Sequence, residues 1–363
     1  MAFPAFLSAI SKAKWISFRA IKTQARAEPA TRPSRRLLSS GRVAAAAIGV
    51  ALAVVVIALS HPASIWASLQ NVNPLTFLAA LLLNIPVVVL RAIRADVVIA
   101  HLGYRIPLGS QLRTQLIGTT TSSLTPAASG DYIRAYIWRR DYGAPLRVGA
   151  AAVTFERLYS LGLMLALAVL LIALPRHGVI GWWGVALGLG AATMAPVVFE
   201  QIPPGLERWV LAKATRGPLN RFSEGAVEVV DNFRRLLRSP ILLAEASGLT
   251  LAVFVLSGIQ LWLLLAGLDH RVPMTQAVAA YSASQAVGIL STLPFGIGTT
   301  DAVVVGVLAE YGVNLALAAT VALLLRAAAT IPQALAGMIA YATLESHDTV
   351  MAPVDAAGAD SPK

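Results

Sequence analysis

The stretch Pro126-Ala127-Ala128-Ser129-Gly130 interrupts a moderately apolar region, residues 108–140, with a proline and a glycine. A second region, 274–312, is interrupted in the same way by Pro294-Phe295-Gly296-Ile297-Gly298. Both belong to an internal repeat, whose landmarks are Pro126, Gly130, Tyr142, Gly143 and Arg157 in one copy and Pro294, Gly298, Tyr311, Gly312 and Arg326 in the other. The first landmarks lie 168 residues apart and the last lie 169 apart, so one inserted residue aligns the copies. Such breaks in corresponding segments of two halves are typical of the central site of a membrane transporter.

The composition indicates that most of the chain faces lipid. Of its 363 residues 57% are hydrophobic and only 13% are charged, which is too apolar for one water-soluble core. Cysteine is absent and the five histidines are scattered singly, so the sequence offers no ligand spacing for a metal. We therefore expect an all-α integral membrane protein that carries no metal and no cofactor.

Six apolar runs are long enough to cross a bilayer as helices. They lie near residues 43–60, 75–98, 149–174, 179–199, 241–267 and 315–343. We interpret the two interrupted regions as broken hairpins, each made of two half-helices that meet at membrane depth. Backbone amides freed at such a break cannot face lipid unsatisfied, so each break must be buried in protein or line a wet cavity. Two ordinary kinked spans are the alternative.

Basic residues predict the orientation of the chain. Nine Lys or Arg residues precede the first span, and seven more lie in the segment 200–240. Because positively charged segments stay in the cytoplasm, both of these segments and both termini are predicted to be cytoplasmic. The net charge of +11 then reflects topology and attraction to anionic lipid headgroups, and it does not indicate nucleic-acid binding.

Three predicted spans separate the two broken hairpins. The hairpins should therefore enter the membrane from opposite sides, which makes the two copies an inverted repeat. Two halves with one fold and opposite orientation can exchange conformations and open a midplane site to each side in turn. Alternating access is the mechanism that this repeat predicts.

Changes in composition divide the chain into three parts. Residues 1–42 are predicted to be a basic amphipathic segment in the cytoplasmic interface, with a transit peptide or an over-long start as alternatives. Residues 43–344 form the predicted transmembrane domain, and residues 345–363 are predicted to be a disordered tail. Within the domain the repeat copies cover about 108–175 and 274–343, and residues 204–238 read as a cytoplasmic amphipathic helix or helical hairpin.

Arg157 and Arg326 each lie deep in an apolar span. An arginine near the bilayer centre costs about 2.5–3.5 kcal/mol on insertion scales, so such a residue is functional by default. A guanidinium binds phosphate through two hydrogen bonds, and the amino ends of half-helices also attract anions. We expect the two arginines to form a phosphate-binding cavity at mid-depth. The alternative is internal ion pairing, of Arg157 with Glu156 or Asp131 and of Arg326 with Asp301 or Glu310.

Further candidate residues lie beside the two breaks. Asp131 and Arg134 open the predicted second half-helix of the first copy, and Asp301 has nearly the same place in the second. An acid there either complements the helix dipole or serves a proton or cation relay. Hydroxyl and amide side chains before each break either line a headgroup path or bond to nearby backbone carbonyls. The predicted substrate-binding set is completed by Glu156, Gly130, Pro126, Pro294, Gly296 and Gly298, and no catalytic residue is predicted.

Taken together, these motifs resemble the lysylphosphatidylglycerol synthase transmembrane family, which is the flippase-like domain of the multiple peptide resistance factor. The resemblance covers roughly residues 40–345 and rests on the segment 126–134, on Glu156-Arg157-Leu158, on the segment 293–301 and on Arg326. It implies a multi-pass protein of the bacterial inner membrane. It also implies that the chain moves anionic phospholipids, or polyprenyl- or hopanoid-type lipids, between leaflets.

Three positions depart from the family pattern. Ser160 stands where the family often has an acid, Phe295 where it has glycine, and Asp301 where it has glutamate. The full resistance factor also carries a soluble aminoacyl-transferring domain after its membrane part, whereas this sequence stops at Lys363. We therefore expect a translocating protein that is not an enzyme and does not synthesise lysyl-phosphatidylglycerol by itself.

Two other classes of function stay open. A membrane lipid-phosphate transferase needs a nucleophile or metal-binding acids grouped at one interface, whereas Asp131 and Asp301 lie in opposite halves. An accessory membrane subunit of a lipid- or glycan-synthesis complex would use the basic segment 204–238 to dock a glycosyltransferase or lipid-synthesis partner. The oligomeric state is not predicted.

Overall fold

The computed structural model describes residues 70–173, 223–290, 296 and 298–350. All of these belong to one compact unit, residues 45–363, and every secondary-structure element among them is helical. The helices are α1 (Pro74–Leu82), α2 (Asn84–His101), α3 (Leu108–Leu124), α4 (Ile133–Tyr142), α5 (Leu146–Ala173), α6 (Ser223–Leu237), α7 (Pro240–Ala266), α8 (Met274–Leu290), α9 (Thr299–Glu310), α10 (Leu315–Leu325) and α11 (Ile331–Val350). A 3₁₀ helix (Pro126–Tyr132) precedes α4, and a π-helical segment (Arg326–Thr330) joins α10 to α11.

Four stretches of the described residues are long and apolar enough to cross a membrane. They are Pro74–His101, which joins α1 to α2, Leu146–Ile172, Pro240–Ala266 and Leu315–Thr343. These stretches confirm the spans predicted near 75–98, 149–174, 241–267 and 315–343, and with them an all-α polytopic membrane protein. The spans predicted near 43–60 and 179–199, like the segment 1–42, lie outside the described residues.

Side-chain caps fix where three of these spans begin. Asn73 accepts a hydrogen bond from the backbone N–H of Leu75 at 2.9 Å, and Asn314 accepts one from Ala316 at 2.8 Å. Ser239 does the same for Leu242 at 3.3 Å. Each cap satisfies one of the backbone donors that the first helical turn leaves without a partner.

The two repeat copies share one order of elements. Each has a helix, a break, a short helix, a glycine in the left-handed region and a long helical span. The glycines are Gly143 (φ +67°) and Gly312 (φ +83°), a conformation that glycine adopts without the steric cost of a Cβ. Arg157 and Arg326 each lie eleven residues after the first residue of the long span, Leu146 or Leu315. The structure therefore gives the sequence repeat a matching repeat of helices.

Packing interlocks the two copies. Helix α3 of the first copy packs along α11 of the second, and α8 of the second copy packs along α5 of the first. The α3–α11 contact is close because of Gly337, where a Cβ would overlap the side chain of Thr120 and the carbonyl of Leu116. The helix before each break therefore packs along the long span of the other copy. Whether the copies are inverted in the membrane stays a prediction, since the span near 179–199 is not described.

Two details differ from the sequence-based expectation. Helix α11 continues to Val350, so the first six residues of the predicted disordered tail are helical, because neither proline nor glycine occurs between Gly337 and Pro353. The first break is a 3₁₀ helix that contains Asp131, so this acid precedes the second half-helix, and only Arg134 lies within it. In the segment 204–238 the described part forms α6, which packs against α5 through Phe233 and Phe155 (ring centroids 6.0 Å apart).

Candidate functional site

An ion pair joins the long span of the second copy to its break. Arg326 donates from Nε to Oδ1 of Asp301 at 2.7 Å and from Nη2 to Oδ2 at 2.6 Å. The same Nη2 also lies 3.0 Å from Oγ1 of Thr300 and 3.4 Å from the carbonyl oxygen of Gly296. The guanidinium is therefore held by a carboxylate, a hydroxyl and a carbonyl of one short segment.

Asp301 also caps the amino end of α9. The backbone N–H of Gly298 donates to its Oδ2 at 3.1 Å, so the carboxylate satisfies an amide at the amino end of the helix. Gly296 (φ +56°) and Gly298 (φ +80°) both adopt left-handed backbone conformations, which bend the chain into the helix. The helix-capping role and the ion pair with arginine are thus combined in one acid. Pro294 lies outside the described residues.

The first copy contains the matching ion pair. Arg157 donates from Nη2 to Oγ of Ser122 at 2.6 Å, and the same nitrogen lies 3.1 Å from Oδ2 of Asp131. As in the second copy, an arginine of the long span reaches an aspartate of the break and a hydroxyl beside it. Both pairings are among those considered from the sequence.

The first copy adds a more deeply buried cluster of charges, with no counterpart among the described residues of the second copy. Arg134 and Glu156 make two hydrogen bonds, at 3.0 and 3.2 Å, and their side chains are 1% and 2% exposed. Arg94 of α2 approaches the same carboxylate at 3.5 Å and donates to Ser160 and Thr250 at 2.8 and 3.1 Å. Ser160, which stands where the family often has an acid, therefore accepts a hydrogen bond from an arginine. In the second copy Leu325 occupies the position of Glu156.

Hydroxyl groups satisfy the backbone at the first break. Oγ1 of Thr125 accepts a hydrogen bond from the N–H of Gly130 at 2.6 Å, and Oγ1 of Thr121 donates one to the carbonyl of Gly130 at 2.8 Å. Gly130 lies so close to α3 that a Cβ would overlap the backbone of Thr121. The 3₁₀ helix that starts at Pro126 is therefore packed onto α3, and hydroxyl groups satisfy part of its backbone.

A cavity of about 190 Å³ with a mixed polar and apolar wall lies between the two copies. Its wall includes residues from α2, α3, α8, α9, α10, the π-helical segment and α11. Three of these residues are charged, namely Arg91, Asp301 and Arg326, while hydroxyl and amide groups come from Thr119, Ser122, Ser123, Tyr281, Ser284, Gln285, Thr300, Thr330 and Gln333. Because pockets for drug-sized ligands measure about 300–1,000 Å³, this cavity is large enough only for a smaller group.

The predicted site residues are divided between the cavity and its support. Arg326, Asp301 and Gly296 line the cavity. Arg157 lies behind the wall, where it contacts the lining residue Ser122, and the buried pair of Arg134 and Glu156 lies deeper in the first copy. The structure thus brings one of the two repeat arginines to the cavity. The part that each residue has in substrate binding stays a prediction.

Sequence reasoning missed two residues of this cavity, Arg91 and Gln333. Arg91 lies within the apolar span Pro74–His101, and an arginine inside an apolar span is functional by default, as for Arg157 and Arg326. The repeat does not point to Arg91, because α2 belongs to neither copy. Gln333 has no such signal, since a single amide in an apolar span occurs for many structural reasons.

Gln333 is oriented by a network at the π-helical segment. Its Nε2 donates to Oδ1 of Asn84 at 2.8 Å, and Nδ2 of Asn84 donates to the carbonyls of Ala328 and Leu81 at 2.6 and 2.7 Å. A π-helical turn changes the carbonyl pattern of a helix and is frequent at functional sites. The network holds Oε1 of Gln333 within 3.4 Å of Nη1 of Arg91.

Comparison with known proteins identifies relatives of this architecture. The family described as lysylphosphatidylglycerol synthase TM region matches residues 46–337. A UPF0104 membrane protein of Methanothermobacter thermautotrophicus is 22% identical over 291 residues, which cover 76% of this chain and 86% of that protein. Glycosyltransferase AglD of Haloferax volcanii is 30% identical over 135 residues. That match covers 36% of this chain, which spans only 22% of AglD.

Proposed function

Because the chain belongs to the lysylphosphatidylglycerol synthase transmembrane-region family, we propose that it is a lipid translocase. Its cargo is an anionic phospholipid or a polyprenyl- or hopanoid-type lipid, which it moves between the leaflets of a bacterial inner membrane. Both termini are cytoplasmic in this proposal, as the basic segments predict. The chain carries out no transfer chemistry itself.

One observation supports the proposal above the others: Arg326 lines a cavity close to the middle of its span. Between Leu315 and Thr343 this residue is about 5 Å from the midpoint at 1.5 Å per residue. A cavity with two arginines in its wall at that depth is costly for a purely structural bundle, because hydrocarbon disfavours charge. It does suit the phosphate of a lipid that passes between leaflets with its acyl chains in the bilayer.

The ion pair of Arg326 and Asp301 supplies the reversible step. An arriving phosphate takes over the hydrogen bonds of the guanidinium, and Asp301 keeps its bond to the Gly298 N–H during the exchange. Release of the phosphate restores the pair. The resting ion pair therefore balances the charge of Arg326 itself and can still open to an anion.

The interlocked copies supply the movement. Because the cavity is walled by helices of both copies, a small rotation of one copy against the other changes which end of the cavity is open. The buried cluster around Glu156 stiffens the first copy, so we expect the second copy, which contains the π-helical turn, to be the half that moves.

Leaflet exchange in proteoliposomes tests the proposal. The full-length protein is reconstituted with acyl-labelled phosphatidylglycerol, and the rate at which label becomes accessible to an external quencher is measured. We expect Arg326→Ala to reduce exchange by about tenfold or more, which is the cost of one charged hydrogen bond. Arg157→Ala should have a smaller effect, because this residue lies behind the wall. The control is Arg139→Ala, an exposed residue of α4.

An accessory subunit is the second candidate, because this chain shares a stretch of 135 residues with a protein named as a glycosyltransferase. Such a subunit would dock its partner through the segment around α6. Such a subunit would tolerate the loss of Arg326, since binding its partner does not involve the cavity. Equal exchange by wild type, Arg326→Ala and protein-free liposomes would favour this second candidate.

A further inference from the structure

The charges that line the cavity do not balance. Arg326 is matched by Asp301 through two hydrogen bonds, so this pair contributes no net charge. Arg91 is matched by a neutral group, the amide oxygen of Gln333, at 3.4 Å. No carboxylate in the described part of the chain forms an ion pair with Arg91. One positive charge therefore remains uncompensated in the wall.

The neighbouring arginine on the same helix shows that this imbalance is specific to Arg91. Arg94 lies one turn further along α2 and has Glu156 at 3.5 Å together with two hydroxyl acceptors. The nearby acid is thus already shared between Arg94 and Arg134. An intramembrane cation without an acid is expensive, so its retention points to an anion that arrives from outside the fold.

The remaining wall is rich in hydroxyl and amide groups and poor in acids. Ser123 and Ser284 donate to backbone carbonyls of their own helices, and Ser122 accepts from Arg157, so the groups in this wall that best suit hydroxyls of a ligand are those of Gln285 and Thr330. Asp301 is the only acid among the described lining residues, and it is engaged by Arg326 and by the N–H of Gly298. In the resting cavity an ammonium group on the headgroup would find this carboxylate already paired with Arg326 and would lie close to Arg91.

We infer that Arg91 determines which headgroup charge the cavity accepts, so that the site takes a phosphodiester with one negative charge and a polyol or sugar headgroup. Zwitterionic and cationic headgroups are rejected. This inference rests on the proposed function, which makes the ligand a lipid. It adds the class of headgroup and assigns a role to Arg91, a residue outside both repeat copies. Gln333 positions Arg91, because its amide is fixed from the other side by Asn84.

Binding measured without leaflets tests this inference separately from transport. The full-length protein in detergent is titrated with phosphatidylglycerol, a glucosyl phosphopolyprenol, phosphatidylethanolamine and phosphatidic acid, and its unfolding temperature is recorded. We expect phosphatidylglycerol, the glucosyl phosphopolyprenol or both to raise the unfolding temperature. The lipid that raises it more shows whether the site prefers a polyol or a sugar headgroup. Arg91→Gln should weaken that binding by about tenfold or more and remove the preference over phosphatidylethanolamine.

Two further variants keep the test independent of folding. Gln333→Glu places a carboxylate beside Arg91 and should remove the same preference while leaving both cavity arginines in place. Arg139→Gln removes an exposed arginine and should bind as wild type does. Equal stabilisation of wild type by phosphatidylglycerol and phosphatidylethanolamine, stronger stabilisation by phosphatidic acid, or an unchanged preference in Arg91→Gln would each overturn the inference. Selective binding without any leaflet exchange would contradict the proposed function and leave this inference standing.

Discussion

Arg326 and Asp301 form an ion pair in which each carboxylate oxygen lies within 2.7 Å of a guanidinium nitrogen. The two residues are 25 positions apart in the chain, one just after the break and the other near the middle of the long span. The pair ties the second hairpin to the second long span. It is partly buried, with side chains 13% and 28% exposed. Loss of one partner therefore leaves the other charge in a poorly hydrated place.

Removing both members of this pair should cost less stability than the two single changes together. Asp301→Asn leaves Arg326 uncompensated and should destabilise the protein by about 1–3 kcal/mol, below the range for fully buried pairs. Adding Arg326→Gln removes the remaining charge, so the double variant should regain part of that loss. Thermal unfolding in detergent, followed by circular dichroism, measures all three variants. Strictly additive effects would show that the two side chains are not coupled.

Glu156 should be the most costly acid to neutralise. It is almost fully buried between Arg134 and Arg94, so Glu156→Gln leaves Arg94 without its carboxylate and Arg134 with only Asp131 at 3.7 Å, and should cost about 3–5 kcal/mol. The matched control is Asp141→Asn in the exposed pair with Arg140, where the expected loss is about 0–1 kcal/mol. Unfolding temperatures of the two variants make the comparison. Similar losses in both would contradict the buried cluster.

Packing between the copies depends on Gly337. In Gly337→Ala the new methyl group meets the carbonyl of Leu116 and the side chain of Thr120, so α3 and α11 must separate, at a cost of about 1–3 kcal/mol. Gly306→Ala is the control, because a Cβ there meets open space in an exposed turn of α9 and should be neutral or mildly stabilising. The measurement is again the unfolding temperature. A harmless Gly337→Ala would mean that the two copies are not closely packed at this point.

Much of the fold could be predicted from the sequence because the bilayer imposes simple rules on it. Length and hydropathy set the four described spans, and proline with glycine set the breaks. The repeat also predicted that Arg157 and Arg326 occupy equivalent positions. These properties are local, or they depend on distances along the chain that a repeat makes visible.

The pairing of the site residues depends on packing, which the sequence does not contain. Periodicity along the chain could not show that α3 lies against α11. Nor could it show that Arg157 of α5 contacts the lining residue Ser122 of α3 without lining the cavity itself. Arg91 reaches the cavity only because α2 packs beside α3. The extension of α11 beyond residue 345 was predictable from the absence of helix breakers, but composition alone suggested a tail.

Blocking the cavity chemically tests the central claim most directly. The chain contains no cysteine, so Ser123→Cys places a single thiol in the cavity wall, and Met274→Cys places one at the exposed start of α8. Leaflet exchange of phosphatidylglycerol is measured in proteoliposomes before and after each variant reacts with a bulky thiol reagent. We predict that both unmodified variants still exchange lipid, because the Ser123 hydroxyl is engaged by the carbonyl of Thr119 within α3, and that modification reduces exchange to background in Ser123→Cys alone. Undiminished exchange by fully modified Ser123→Cys would contradict passage of the headgroup through this cavity.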